Sequence, residues 1–184
     1  MYGLVNRAIR DLITTRFGDD AWHHIKQRAG IEVEIFILNE SYPDEMTYDL
    51  VSASVEELGI PRTEMLRMFG EFWALDTASG PYGALITACG TTLESFLIHL
   101  PNLHTRASMM FPNLDAPRFE FEPTGKNQGK LHYITPRHGL TDFIIGIVTG
   151  VAKFYGSPCE VQPLELKSDG ADHDVLEISW PDAA

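Results

Sequence analysis

Two short stretches carry the residue types that could do chemistry. The first is LPNLHTRASMMFP, residues 100–112. At helical spacing Leu100, Leu103, His104, Ala107, Ser108 and Phe111 fall on one face, so His104 points where an apolar core should be. A buried imidazole needs a hydrogen-bond partner or a metal ion. Taken alone, a core histidine satisfied by a hydrogen bond is the commoner case. The second stretch is LHYITPR, residues 131–137. In a strand, side chains two apart share a face, so Tyr133 and Thr135 point the same way and Arg137 follows at the end. Two hydroxyls and a guanidinium are then spread along roughly 13 Å of one edge. Such a row suits carboxylates or phosphates, with arginine as a bidentate fork. Alone it is also an ordinary strand with an exposed arginine.

The remaining chemistry-bearing residues form no competing pattern. His23 and His24 are adjacent on a helix and face different ways. His99, His132, His138 and His173 share no zinc spacing with the two cysteines, Cys89 and Cys159. There is no H-E-x-x-H, P-loop, dinucleotide fingerprint or G-x-S-x-G. Acid pairs such as Asp19-Asp20 and Glu56-Glu57 read as helix caps and solvated faces. The formal net charge of -12 excludes the basic footprint of a nucleic-acid binder and disfavours anionic membranes. The longest apolar run, FIIGIVTGVA, is too short to span a bilayer, and the N-terminus MYGLVNRAIRDL reads as an amphipathic helix rather than a signal peptide. Two cysteines without a C-x-x-C fit a reduced, cytoplasmic compartment.

The elements that must position these residues can be read from periodicity. The chain of 184 residues suits one domain able to bury roughly 70% of its unfolded surface and to enclose a ligand. Four helices are expected before residue 73: one carrying Leu4 to Ile13 and stopped at Gly18, one capped by Asp19 or Asp20, one from Pro43-Asp44 to Gly59, and one from Pro61. TASGPYG (77–83) reads as a loop, followed by a helix to Cys89-Gly90. Thr91 or Thr92 caps LESFLIHL, and Pro101 is expected to open a new helix that carries His104. RFEFEP (118–123) and KLHYITP (130–136) read as strands, residues 139–156 as a long helix, and CEVQPLEL and DVLEISW as a closing strand pair. The expected class is α+β: a helical N-terminal subdomain (about 1–63) packed on a mixed part (about 64–184) with a four-stranded antiparallel sheet and an inserted long helix.

Together the two stretches are more specific than either alone. A histidine on an apolar face, followed about thirty residues on by Y-x-T-x-R, supplies what a haem pocket requires: an axial imidazole, an apolar slot, and cations or hydroxyls for two propionates. Here the chain resembles the H-NOX (haem-nitric oxide/oxygen binding) domain, in its bacterial stand-alone form, and is similar to the sensor domain of the soluble guanylate cyclase beta subunit. The opening MYGLVN, TYDLV (47–51), MFGEFW (68–73), LPNLHTR, DAPRF and HGLTDFIIGIV carry the resemblance nearly end to end. The resemblance implies haem b, with His104 as axial ligand, Pro117 pressed against the haem, and Tyr133, Thr135 and Arg137 on the propionates. Phe143 and Trp73 would lie on the distal side, and Val5 and Ile147 would line the pocket. Thr135 replaces the family's serine and Pro136 precedes the arginine, so a looser propionate clamp is expected.

The function implied is gas sensing rather than catalysis. In oxygen-binding members a distal tyrosine donates a hydrogen bond; the matching position here is Phe143, which has no donor. NO is therefore the expected ligand, CO a weaker one, and oxygen is not stably held. The resemblance further implies that NO loosens the bond to His104 and turns the helical part against the sheet part, with Gly70 at a hinge. Because the chain ends at Ala184, just after the last expected strand, output is expected in trans, on a histidine kinase or a cyclic-di-GMP enzyme. The alternatives are a haem carrier and a haem-free small-molecule binding module on the same fold. A peroxidase is disfavoured by the lack of a distal His–Arg pair.

Overall fold

The computed structural model describes residues 1–78, 80, 83–110 and 116–182. Helices α1 (Gly3–Phe17), α2 (Asp19–Arg28), α3 (Asp44–Leu58) and α4 (Arg62–Phe72) come first. A π-helical turn, Trp73–Ala78, extends α4, and α5 (Gly83–Thr87) and α6 (Leu93–Met110) follow. Strands β1 (Arg118–Gly125) and β2 (Gln128–Ile134), helix α7 (Thr141–Phe154), and strands β3 (Glu160–Glu165) and β4 (Asp174–Ser179) complete the order. The sheet is antiparallel throughout, in the order β1-β2-β4-β3, with α7 inserted between β2 and β3. This is the expected α+β architecture.

The helix stops follow local chemistry. Gly59 closes α3 in the left-handed conformation, and its N–H returns to the Val55 carbonyl. Gly18 separates α1 from α2 at φ 91°, so the residue before α2 is a glycine and neither Asp19 nor Asp20 acts as the cap. Thr92 and Ser95 cap α6 reciprocally: the Thr92 hydroxyl accepts from the Ser95 N–H at 3.1 Å, and the Ser95 hydroxyl accepts from the Thr92 N–H at 3.1 Å.

Three expectations about elements change. Pro101 does not open a new helix; α6 runs unbroken through it. Proline removes one N–H from a helix interior, but Phe96, Leu97 and Leu100 around it are buried, and their packing holds the turn. Thr77 and Ala78, read as loop, belong to the π-helical turn; Ser79, Pro81 and Tyr82 of the same stretch lie outside the described residues. Gly70 sits inside α4 with no left-handed backbone. A Cβ there would lie 2.1 Å from the Phe143 carbonyl oxygen. Gly146 meets the Arg67 carbonyl in the same way at 2.2 Å, and a Cβ on Gly150 would lie 2.7 Å from that of Ala74. These glycines let α4, with its π-helical extension, and α7 pack backbone to backbone. The role visible at Gly70 is close approach rather than conformational freedom.

One apolar cluster joins both parts of the chain. Ile9, Leu12 and Ile25 on the helical side and Leu131, Leu176 and Ile178 on the sheet side are fully buried within it. Leu131 pairs directly with Leu176 across β2 and β4. Among the described residues, no helix is long and apolar enough to cross a membrane.

Candidate functional site

A largely apolar cavity of about 420 Å3 opens between α1, α3, α4, α6, α7 and the sheet. That size lies within the ordinary range of small-ligand sites, roughly 300–1,000 Å3. His104 is in its wall, on α6, with Leu100 one turn before it and Leu103 beside it. The helical spacing thus places the histidine as the sequence suggests; Phe111, expected on the same face, lies outside the described residues, as does the side chain of Ser108.

The imidazole is mostly buried. Burial pushes its pKa below the ordinary histidine value, and a hydrogen bond with the Leu100 carbonyl opposes the shift only in part. At neutral pH the ring is therefore uncharged and keeps a lone pair, the form in which imidazole binds metal. Phe119 of β1 packs on it with ring centroids 5.2 Å apart, and Tyr133 of β2 stacks on Phe119 at 5.3 Å. The antiparallel register sets Phe119 directly opposite Tyr133, which brings the two rings together.

Tyr133 and Arg137 both line the cavity, but Thr135 does not. β2 ends at Ile134, so the strand spacing that aligned all three side chains stops before Thr135 is placed. Its hydroxyl instead links the other two: it accepts from the Arg137 N–H at 3.2 Å and is hydrogen-bonded to the Tyr133 phenol. Burial pushes the Tyr133 hydroxyl up to about 12, so it remains a donor across the physiological range. Lys167 holds this segment from outside, donating to the Thr135 carbonyl at 2.9 Å.

The cationic end of the cavity contains groups that the sequence did not point to. The Arg137 guanidinium donates to an Asp44 oxygen at 2.7 Å, and the N-terminal ammonium of Met1 bonds the other oxygen. Burial alone would raise the Asp44 carboxyl. The hydrogen bonds from the N-terminus and Arg137, with their charges, outweigh it and hold the pKa below its ordinary value. Tyr48 lines the same end and donates to the His138 carbonyl at 3.1 Å. Asp44 lies 93 residues from Arg137, and no local motif links them. Phe119 had a signal, the alternation of RFEFEP opposite Tyr133.

The other expected site residues also reach the cavity. Val5 of α1, Trp73 at the start of the π-helical turn, Pro117 just before β1, and Phe143 and Ile147 of α7 are all in its wall. Phe69 joins the two aromatic ones: its ring is 4.7 Å from Phe143 and 6.4 Å from Trp73.

The chemistry of this donor set fits haem. A neutral imidazole stands in the wall of an apolar cavity, and a guanidinium and a phenol that stays protonated stand at its polar end. Among the described residues no group of three or more histidine, cysteine, aspartate or glutamate side chains is arranged to hold a metal ion.

Comparison with known proteins agrees with this geometry. The Haem-NO-binding (HNOB) family model matches residues 2–163. Soluble guanylate cyclase gcy-32 of Caenorhabditis elegans is 31% identical over 156 residues, which cover 83% of this chain and 23% of that protein. Gcy-35 of the same organism is 29% identical over 184 residues, covering 96% of this chain and 26% of that one. The chain thus spans about a quarter of the length of these relatives. Among solved structures, an H-NOX protein from S. oneidensis in the Fe(II) ligation state superposes with a TM-score of 0.92 at 17% identity, covering 100% of this chain and 98% of that one. That structure is of a triple mutant; an H-NOX protein from S. oneidensis in the Fe(II)NO ligation state gives 0.89 at 18% identity over 99% and 100% of the two chains. These structures share the fold. With the family model matching nearly the whole chain, the protein belongs to the Haem-NO-binding, or H-NOX, family.

Proposed function

We propose that this chain is a haem-based sensor selective for NO, with His104 as the axial ligand. The observation that carries the reading is the cavity itself: a neutral, buried imidazole in an apolar wall, with Arg137 and Tyr133 together at the polar end. Bound haem b would supply an iron centre with an open position for a diatomic gas. His104 would hold the iron, and Leu100 and Phe119 fix its ring. Tyr133 and Arg137 would bind propionates, with Thr135 positioning both through its hydroxyl. Pro117, Ile147, Val5 and Trp73, which line the cavity, would enclose the haem.

Selectivity follows from what Phe143 lacks. Oxygen gains from a hydrogen-bond donor, and losing one costs about 1–3 kcal/mol, roughly a tenfold to hundredfold loss of affinity. Phe143 has no donor and packs on Phe69. NO depends far less on such help, and CO is the weaker ligand. The chain itself performs no catalysis in this reading; it transmits a change of shape between its helical part (about 1–63) and its mixed part (about 64–184). The proposed receivers are a histidine kinase or a cyclic-di-GMP enzyme, in a cytoplasmic setting.

The test is the absorption spectrum of the haem-loaded ferrous protein under NO, CO and air. The expected outcome is a shifted Soret band with NO and with CO, and no stable oxygenated form in air. A persistent oxygenated spectrum would overturn the selectivity, and a protein that takes up no haem would overturn the reading.

A further inference from the structure

The polar end of the cavity holds a second arginine that the sequence did not single out. Arg62, the first residue of α4, lines the cavity together with Asp44, Tyr48 and Arg137. Its Nη1 donates to the Ser52 hydroxyl at 3.1 Å, and that hydroxyl donates to the Tyr48 carbonyl at 2.8 Å. Asp44, Tyr48 and Ser52 are spaced four apart on α3 and form one stripe of that helix. Arg137 is bound at the Asp44 end of the stripe and Arg62 at the Ser52 end. From Asp44 to Ser52 the helix rises about 12 Å, with Tyr48 halfway. The charges of Asp44, Arg137 and Arg62 all act on the Tyr48 phenol between them.

The charges at this end favour a dianion. Arg137 and the Met1 ammonium share the Asp44 carboxylate, so those three groups carry one net positive charge. Arg62 makes no ion pair among the described residues. Its guanidinium adds the second positive charge, which matches the two propionates of haem. The position is unfavourable for a cation by itself, because the first turn of a helix is the positive end of the helix dipole and favours an anion nearby. A guanidinium carries five N–H donors in a planar fork, and the Ser52 hydroxyl uses one of them. An edge that suits a carboxylate therefore remains.

We propose that Arg62 is a second propionate-binding residue, holding one carboxylate of the haem while Arg137 and Tyr133 hold the other. The assignment rests on the haem-binding reading given above. Arg62 enters at the start of α4, whereas Arg137 follows β2, so the two propionates are held from the helical and the sheet side of the cavity. The second guanidinium offsets the commitment of Arg137 to Asp44.

The test is the rate of haem transfer to an apo-globin acceptor from wild type, Arg62→Gln and Arg62→Lys. Each is loaded with haem and, separately, with haem dimethyl ester, whose two propionates are uncharged. With haem, Arg62→Gln should release it about two- to fivefold faster than wild type, as for one exposed charge contact. Arg62→Lys keeps the charge but not the fork, and its rate should lie between the two. With the dimethyl ester, wild type and Arg62→Gln should release at the same rate, whereas a merely structural effect of the substitution would accelerate both. Far-UV dichroism reports that each variant is folded. Equal haem-transfer rates in wild type and Arg62→Gln would overturn the assignment and leave the haem-binding reading standing, and so would equal acceleration with haem and with the ester. A wild type that takes up no haem would overturn both.

Discussion

At the scale of single residues, the site depends on how buried groups are charged. Arg137 is committed to Asp44 at one end and to the cavity at the other, and Thr135 holds its backbone rather than lining the cavity. Arg137→Ala should therefore speed haem transfer to an apo-globin acceptor, by about tenfold for the loss of one charge-assisted contact. Thr135→Ser keeps the hydroxyl and should change the rate far less; stopped-flow absorbance measures both. Asp44 gives a prediction in pH. Its folded pKa lies below the ordinary value of 3.8, so its carboxylate stabilises the fold fully above that value and loses this contribution as pH falls through the lower folded pKa. Urea unfolding should show wild type more stable than Asp44→Asn at pH 7, with the gap closing below about pH 4.

At the scale of elements, the seam between α4 and α7 is set by glycines. Gly70 faces the Phe143 carbonyl and Gly146 faces the Arg67 carbonyl too closely for any Cβ. Gly70→Ala must push the two helices apart and should cost about 1–3 kcal/mol of stability in urea unfolding. Phe143 is displaced with the seam, so the same variant should alter the ligand spectrum of the distal side. The sequence showed the helices and strands because their periodicity is local: Leu4 to Ile13, and RFEFEP against KLHYIT. It did not show that α6 continues through Pro101, since proline reads as a boundary and only the packing of Phe96, Leu97 and Leu100 overrides it. The glycine seam was invisible for the same reason. A glycine in a helical pattern looks alike whether it bends or packs.

At the scale of the whole molecule, the cavity draws on both parts of the chain: Val5, Tyr48 and Val51 from the helical side, and Tyr133 and Phe143 from the mixed side. His104 stood out in the sequence because it falls on an apolar helical face, whereas Pro117 and Phe143 were reached only through the resemblance to the family. Asp44 and the Met1 ammonium could not be found in sequence, because a pairing across 93 residues leaves no spacing to read. A ligand that changes the cavity acts on both parts at once, and it transmits only if the two states bind a partner differently. Added to a candidate kinase or cyclic-di-GMP enzyme, the sensor should change that enzyme's activity in an NO-dependent way. Equal activity with the unliganded and NO-bound forms excludes that partner.

The central claim, that His104 holds haem iron in this cavity, is tested most directly by the ferrous absorption spectrum of His104→Gly with and without added imidazole. The account predicts that the substitution abolishes the wild-type Soret band and that imidazole, diffusing into the space left by the side chain, restores it. A wild-type spectrum in His104→Gly without imidazole would contradict it.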